Sequence, residues 1–166
     1  MNSPAPRSGT AEPNRKPPKG ISRWFARAPI HLFHAKLGFL FRDRFMLLHH
    51  IGRKSGLPRE VVIEVVKHDR VTGDYYACSG FGTKSQWYQN LMAHPDTTIQ
   101  VRNTVIPVHA TQLTPDEAVP VMADYARRHP KAARRLASFM GFGDDGDAET
   151  YREVARGMPF IRFSPT

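Results

Sequence analysis

The feature that most constrains the fold is a series of short β-rich segments joined by connections that leave little room for crossover helices. Phe45–His50, Glu60–Lys67, Asp74–Ser79, Thr97–Arg102 and Val105–Gln112 are short and rich in β-branched or aromatic residues. Gly52 with Gly56, then Thr72-Gly73, then Asn103 mark turns between them. Parallel neighbours need a crossover of about a dozen residues or more, so the series specifies mostly antiparallel pairing. A short helix, Ser85–Ala93, interrupts it, with Ser85 at the N-cap. Thr114-Pro115-Asp116-Glu117 has the spacing of a capping box with proline at the first helical position, and opens a helix reaching Arg128. Pro130–Met140 and Ala148–Arg156 read as two more helices around the acidic loop Gly141–Asp147. Met158–Phe163 reads as a last strand. The class is α+β, an antiparallel sheet or small barrel with flanking helices.

Two segments precede this core. Residues 1–20 carry Pro4, Pro6, Pro13, Pro17 and Pro18 among scattered Lys and Arg, the composition of a disordered basic tail. Residues 21–41 follow a helical period, with Ile21, Trp24, Phe25, Ala28, Leu32, Ala35 and Phe39 inside one arc of about 100°. Arg23, Arg27, His31 and His34 lie beside that arc, and Pro29 lies off it, where it kinks or restarts the helix. Such a helix packs on the core, or lies against anionic lipid in peripheral contact with a membrane. Residues 42–166 then form one domain.

Charge narrows the partners. The net charge is +9, and residues 1–59 hold twelve Lys and Arg against two acids, whereas the remainder holds twelve against thirteen. The basic excess therefore sits in the tail, the first helix and one loop. That pattern suits a phosphate-bearing cofactor, acidic lipid or nucleic acid. A single cysteine, Cys78, excludes an intrachain disulfide and suits the cytoplasm. The first twenty residues hold no apolar h-region, and no run reaches the ~20 apolar residues of a membrane span.

Two loops carry the residue types that bind anions. Gly52-Arg53-Lys54-Ser55-Gly56-Leu57-Pro58-Arg59 sets Arg53, Lys54 and Arg59 between two glycines and a proline. Guanidinium grips phosphate or carboxylate bidentately, lysine adds a compact charge, and glycine lets the backbone approach a ligand. The plain alternative is a solvated hairpin turn. Ser79-Gly80-Phe81-Gly82-Thr83-Lys84-Ser85 then offers backbone N–H donors ahead of a helix N-terminus. It lacks the third glycine and the βαβ setting of a dinucleotide fingerprint. On the helix, Trp87, Tyr88 and Asn90 present an aromatic plane and an amide to a flat heterocycle, or Trp87 and Leu91 simply pack in the core. His31/His34 and His49-His50 have neither a Cys partner nor an H-E-x-x-H frame, so no metal site is expected.

Taken in order, these motifs resemble the family of deazaflavin-dependent nitroreductases and F-420H2-dependent quinone reductases. The resemblance runs from Leu47-Leu48-His49-His50-Ile51-Gly52-Arg53-Lys54-Ser55-Gly56-Leu57-Pro58-Arg59 through Ser79-Gly80 to Trp87-Tyr88-Gln89-Asn90-Leu91 and Ala93-His94-Pro95. It continues over Thr97–Gln112 and ends near Met158-Pro159-Phe160.

The resemblance implies a split β-barrel of the flavin-reductase, FMN-binding type, with residues 42–166 as the cofactor-binding domain. It implies coenzyme F-420, whose reduced form passes a hydride from C5 to a quinone, nitroaromatic or activated alkene. Arg53, Lys54, Ser55 and Arg59 would then hold the phosphate and acidic tail, Ser79, Gly80, Phe81 and Gly82 would line the ring or phosphate, and Trp87, Tyr88 and Asn90 would form the adjoining wall. Tyr76 or Tyr88 is the proton donor that chemistry alone suggests. Phe81 stands where the family leads one to expect a small or basic residue. The expected partner is a small-molecule acceptor, with no nucleic acid. The readings beside it are an FMN-dependent split-barrel oxidoreductase and a non-enzymatic basic module for lipid or nucleic acid.

Overall fold

The computed structural model describes residues 29–143 and 145–166, and in it seven strands form one antiparallel sheet. The strands are β1 (Phe45–Ile51), β2 (Pro58–Glu64), β3 (Lys67–His68), β4 (Tyr75–Cys78), β5 (Asp96–Val101), β6 (Thr104–Gln112) and β7 (Phe160–Pro165). Their order across the sheet is β2-β1-β5-β6-β7-β4-β3. The consecutive strands β2 and β3 therefore lie at opposite edges, and only Val65 and Val66 connect them. A link that short requires the sheet to curl until its edges meet. Val65 N–H donates to the Arg44 carbonyl at 2.8 Å beside β1, and Val66 N–H donates to the Tyr76 carbonyl on β4 at 2.8 Å. Adjacent residues thus stitch the two edges into a split barrel. The single strand expected over Glu60–Lys67 is divided here, because each valine enters a different core.

The inner core is built by period-two alternation. Met46 and Leu48 of β1, Ile63 of β2, Ile99 of β5 and Phe163 of β7 meet inside the curl, closed by Leu91 of α2 (Gln86–Ala93). The outer core lies beneath α3 (Pro115–Arg128), α4 (Pro130–Phe139) and α5 (Ala148–Gly157), where Met122, Tyr125 and Val154 pack against Val66 and Phe160. The capping box is present: Thr114 N–H donates to Glu117 Oε2 at 2.8 Å, and Glu117 N–H donates to Thr114 Oγ1 at 3.3 Å.

The entry segment differs from the continuous helix expected over residues 21–41. Residues 1–28 lie outside the described residues; helix α1 occupies 29–34, and a 3₁₀ turn follows at Gly38–Phe41. The helix stops because Lys36 turns left-handed (φ 57°). Lys36 N–H donates to the Phe33 carbonyl and Leu37 N–H to the Leu32 carbonyl, the bonding of a Schellman cap. The chain then leaves the helical path before Phe39, so among the described residues the expected apolar arc is not the buried face. Ala35 and Phe39 are exposed, whereas Phe33, outside that arc, is buried and stacks on Phe41 at 5.3 Å. Gly38 then sits so tightly on the Arg102 carbonyl that a Cβ would overlap it. No described helix is long and apolar enough to cross a membrane.

Candidate active site

The mouth of the barrel, where the β1–β2 hairpin faces α2, holds a cleft of about 600 Å³. The hairpin supplies Gly52, Arg53, Lys54, Ser55 and Arg59, with Glu60 and Val61 behind them. Gly52 N–H donates to the Leu57 carbonyl at 2.9 Å, and Gly56, at φ +68°, donates back to the Gly52 carbonyl at 2.7 Å. The loop is therefore a closed turn whose cations project from a fixed backbone. Phe81, Lys84, Ser85, Gln86, Trp87 and Asn90 form the facing wall. Ser85 occupies the α2 N-cap position as expected, yet its side chain makes no capping bond. The first-turn amides of α2 thus retain the anion affinity of an open helix N-terminus beside the cleft.

One amide joins the two walls. Asn90 Oδ1 accepts the Arg53 backbone N–H at 3.1 Å and Arg53 Nη1 at 3.0 Å, and Nη1 also donates to Gln86 Oε1 at 3.0 Å. Asn90 Nδ2 then lies 3.0 Å from His50 Nδ1. With Oδ1 committed to two donors, Nδ2 must donate, so His50 Nδ1 is the acceptor and its proton sits on Nε2. Burial, then the charge of Arg59 directly across the ladder, lowers the His50 pKa to about 4. A neutral imidazole is what the Asn90 bond requires.

The electrostatic balance of the cleft is positive. Arg53, Lys54, Arg59 and Lys84 line it against the single carboxylate Glu60. Glu60 is itself bound by His34 of α1 at 2.8 Å and by His49 at 3.2 Å. Among the described residues the Arg53 guanidinium is oriented only by neutral amide oxygens, which leave its charge unneutralised. Phe81, Trp87 and Val61 add an apolar surface. Cations, N–H donors and an apolar wall in one cleft fit a ligand with an anionic tail and a flat ring.

Of the residues singled out in sequence, Arg53, Lys54, Ser55, Arg59, Phe81, Trp87 and Asn90 line this cleft, and Ser79, Gly80, Gly82 and Tyr88 do not. Ser79 is buried and its Oγ donates to the Gly82 carbonyl at 2.8 Å, a bond that shapes the loop from beneath. Tyr88, one helical step from Trp87, turns toward the sheet, where its hydroxyl donates to Gln112 Oε1 at 2.7 Å. Neither Tyr88 nor Tyr76 borders the cleft. His50, Gln86 and Val61 were missed as site residues. For His50 the signal was present: it continues the inward row of Met46 and Leu48 to the rim.

Residues 27–137 match the family described as F420H(2)-dependent quinone reductase. The chain belongs to that family. Membership makes it an oxidoreductase and sets aside the non-enzymatic reading. No curated protein sequence matches the chain. Among solved structures, an F420-H2 dependent reductase (FDR-A) is 20% identical, with 74% of this chain and 96% of that one covered at a TM-score of 0.52. An FMN-binding protein related to pyridoxamine 5'-phosphate oxidase from Nostoc punctiforme is 15% identical over 83% of this chain and 78% of that one, at 0.50. The heme storage protein HutZ of Vibrio cholerae is 12% identical over 85% and 90%, also at 0.50. At such identities the structures establish the shared split barrel, which hosts several cofactors.

Proposed function

We propose that the cleft between the Gly52–Leu57 loop and α2 holds reduced F-420 and that the protein passes its hydride to a small electron-poor acceptor, a quinone, nitroaromatic or activated alkene. One observation carries this reading: Arg53, Lys54 and Arg59 converge with Phe81, Trp87 and Asn90 on a single cleft. When bound, the deazaflavin supplies the hydride. Arg53, Lys54 and Arg59 bind its phosphate and acidic tail, since a guanidinium or ammonium pairs with each oxyanion. Asn90 fixes Arg53 and so fixes where that tail lies. Phe81, Trp87 and Val61 exclude water from the ring and hold it in orientation. Ser79, Gly80 and Gly82 act by shaping the loop that carries Phe81. The work of the chain is therefore binding and orientation, with no side-chain nucleophile.

Titration of F-420 and FMN into the protein, followed by tryptophan fluorescence, tests this reading. Saturable binding of F-420 with much weaker FMN supports it, and preference for FMN replaces the cofactor while keeping the barrel. Contact with acidic lipid through residues 21–41 belongs to the same proposal, supported by exposed Leu37, Phe39 and Leu40 between Lys36 and Arg42. Cosedimentation with anionic vesicles tests it, and no binding at low salt contradicts it.

A further inference from the structure

A second basic cavity, of about 500 Å³, lies at the other end of the β1–β2 ladder. It shares no lining residue with the cleft, and β1, seven residues long, separates them by roughly 20 Å. Four separate segments converge on it. Arg42 and Arg44 precede β1, Lys67 opens β3 and Arg70 follows it, Arg102 comes from the β5–β6 turn, and Arg128 ends α3. These six cations face two lining carboxylates, Asp43 and Asp124.

The carboxylates orient some of the cations without exhausting the charge. Asp43 receives Arg102 Nε at 2.8 Å, and Asp124 receives Arg128 Nε at 2.9 Å. Arg128 Nη2 also donates to the Val66 carbonyl at 2.7 Å. Arg44 pairs with Glu64 at 2.8 Å. Arg70 reaches Asp43 only at 4.0 Å, and neither Arg42 nor Lys67 has a carboxylate within ion-pair distance among the described residues.

Two further observations converge here. Arg42, which lines the cavity, has φ 52° and ψ −132°, a conformation that favours glycine. His68, stacked on Tyr75 at 4.0 Å, also lines the cavity, and its Nδ1 is buried with no hydrogen-bond partner among the described residues. Burial and neighbouring arginines hold both His68 and His129 below the ordinary imidazole value, against the pull of nearby carboxylates. A cavity lined by cations from four separate segments, with few carboxylates to neutralise them, suits an oxyanion.

We propose that this cavity is a second anion site, taking a small molecule that bears a phosphate or pyrophosphate group. It does not depend on what occupies the cleft. Calorimetric titration of the full chain with inorganic pyrophosphate, in about 0.15 M salt, tests it. Saturable binding is expected to survive Arg53→Gln/Lys54→Gln and to weaken about tenfold or more in Lys67→Gln/Arg70→Gln, since each substitution removes a positive charge from the cavity. The imidazole protons of His68 and His129 should shift with the same saturation curve. Arg42→Gly should lower affinity while leaving the melting temperature unchanged or raised, an outcome that a purely structural Arg42 would not give. F-420 binding should be unaffected by Lys67→Gln/Arg70→Gln, so failure of either site leaves the other standing. No saturable binding in the parent protein, or binding abolished by Arg53→Gln/Lys54→Gln and untouched by Lys67→Gln/Arg70→Gln, overturns the proposal.

Discussion

Asn90 donates from Nδ2 to His50 Nδ1 across 3.0 Å, because its Oδ1 is held by Arg53. That relationship couples the protonation of a rim histidine to the position of the cationic loop. Protonated His50 would present a second donor to Asn90 and break the bond. The ligand-binding wall and the interior strand are thus set by one side-chain amide.

Asn90→Ala should leave the Arg53 backbone N–H and His50 Nδ1 without their partner. Each lost bond at a buried group costs about 1–3 kcal/mol. The expected result is a lower melting temperature and F-420 affinity weakened about tenfold. Asn90→Asp should keep the Arg53 contact while raising the His50 pKa, because a carboxylate replaces a donor. NMR titration of the imidazole reads that shift directly.

The pH dependence follows from the same residue. The His50 pKa is about 4 in the fold and 6.5 when unperturbed. Between those values the unfolded chain binds more protons than the folded one, so stability rises with pH. His50 therefore contributes no acid penalty above about pH 6.5, and a growing one as pH falls toward 4. Urea denaturation at pH 7 and pH 5 should show a smaller loss for His50→Gln than for the parent. Equal losses would remove His50 from the account.

Much of this fold was legible in the chain. Alternation in β1, the turn glycines and the Thr114–Glu117 box each encode their element locally. The end of helix α1 was not, because a lysine in the left-handed region stops it where glycine or asparagine would have signalled the stop. Arg53, Lys54 and Phe81 of the cleft were legible because loops carry them outward. Ser79 and Tyr88 were not, since only tertiary packing decides which side of a loop or helix meets the cleft.

Gly38 and Gly80 separate packing from function. A Cβ at Gly38 overlaps the Arg102 carbonyl and crowds Phe33, so Gly38→Ala should cost about 1–3 kcal/mol of stability. At Gly80 a Cβ meets nothing within 4 Å, and its φ does not lie in the left-handed region. Gly80→Ala should therefore melt like the parent. Any loss of F-420 affinity in that variant would report the loop approaching the ligand.

Phe81 meets Phe139 of α4 edge to face at 5.7 Å, so the outer helices reach the rim of the cleft. Phe81→Ala removes this contact and widens the rim. Aromatic pairs of this kind contribute about 0.5–1.5 kcal/mol beyond their burial. The variant should bind F-420 about tenfold more weakly, and its KM values for bulky and slim acceptors should change relative to one another. Steady-state kinetics with a quinone series measures that ratio.

The central claim is that Arg53, Lys54 and Arg59 hold the cofactor in the cleft. Calorimetric titration of F-420 into the parent and into Arg53→Gln/Lys54→Gln/Arg59→Gln is the most direct test, with circular dichroism confirming that both are folded. Saturable binding is expected in the parent, with a loss of at least about a hundredfold in the variant, since each charge-assisted contact contributes roughly 1.5–3 kcal/mol. A folded triple variant that binds F-420 as tightly as the parent would contradict it.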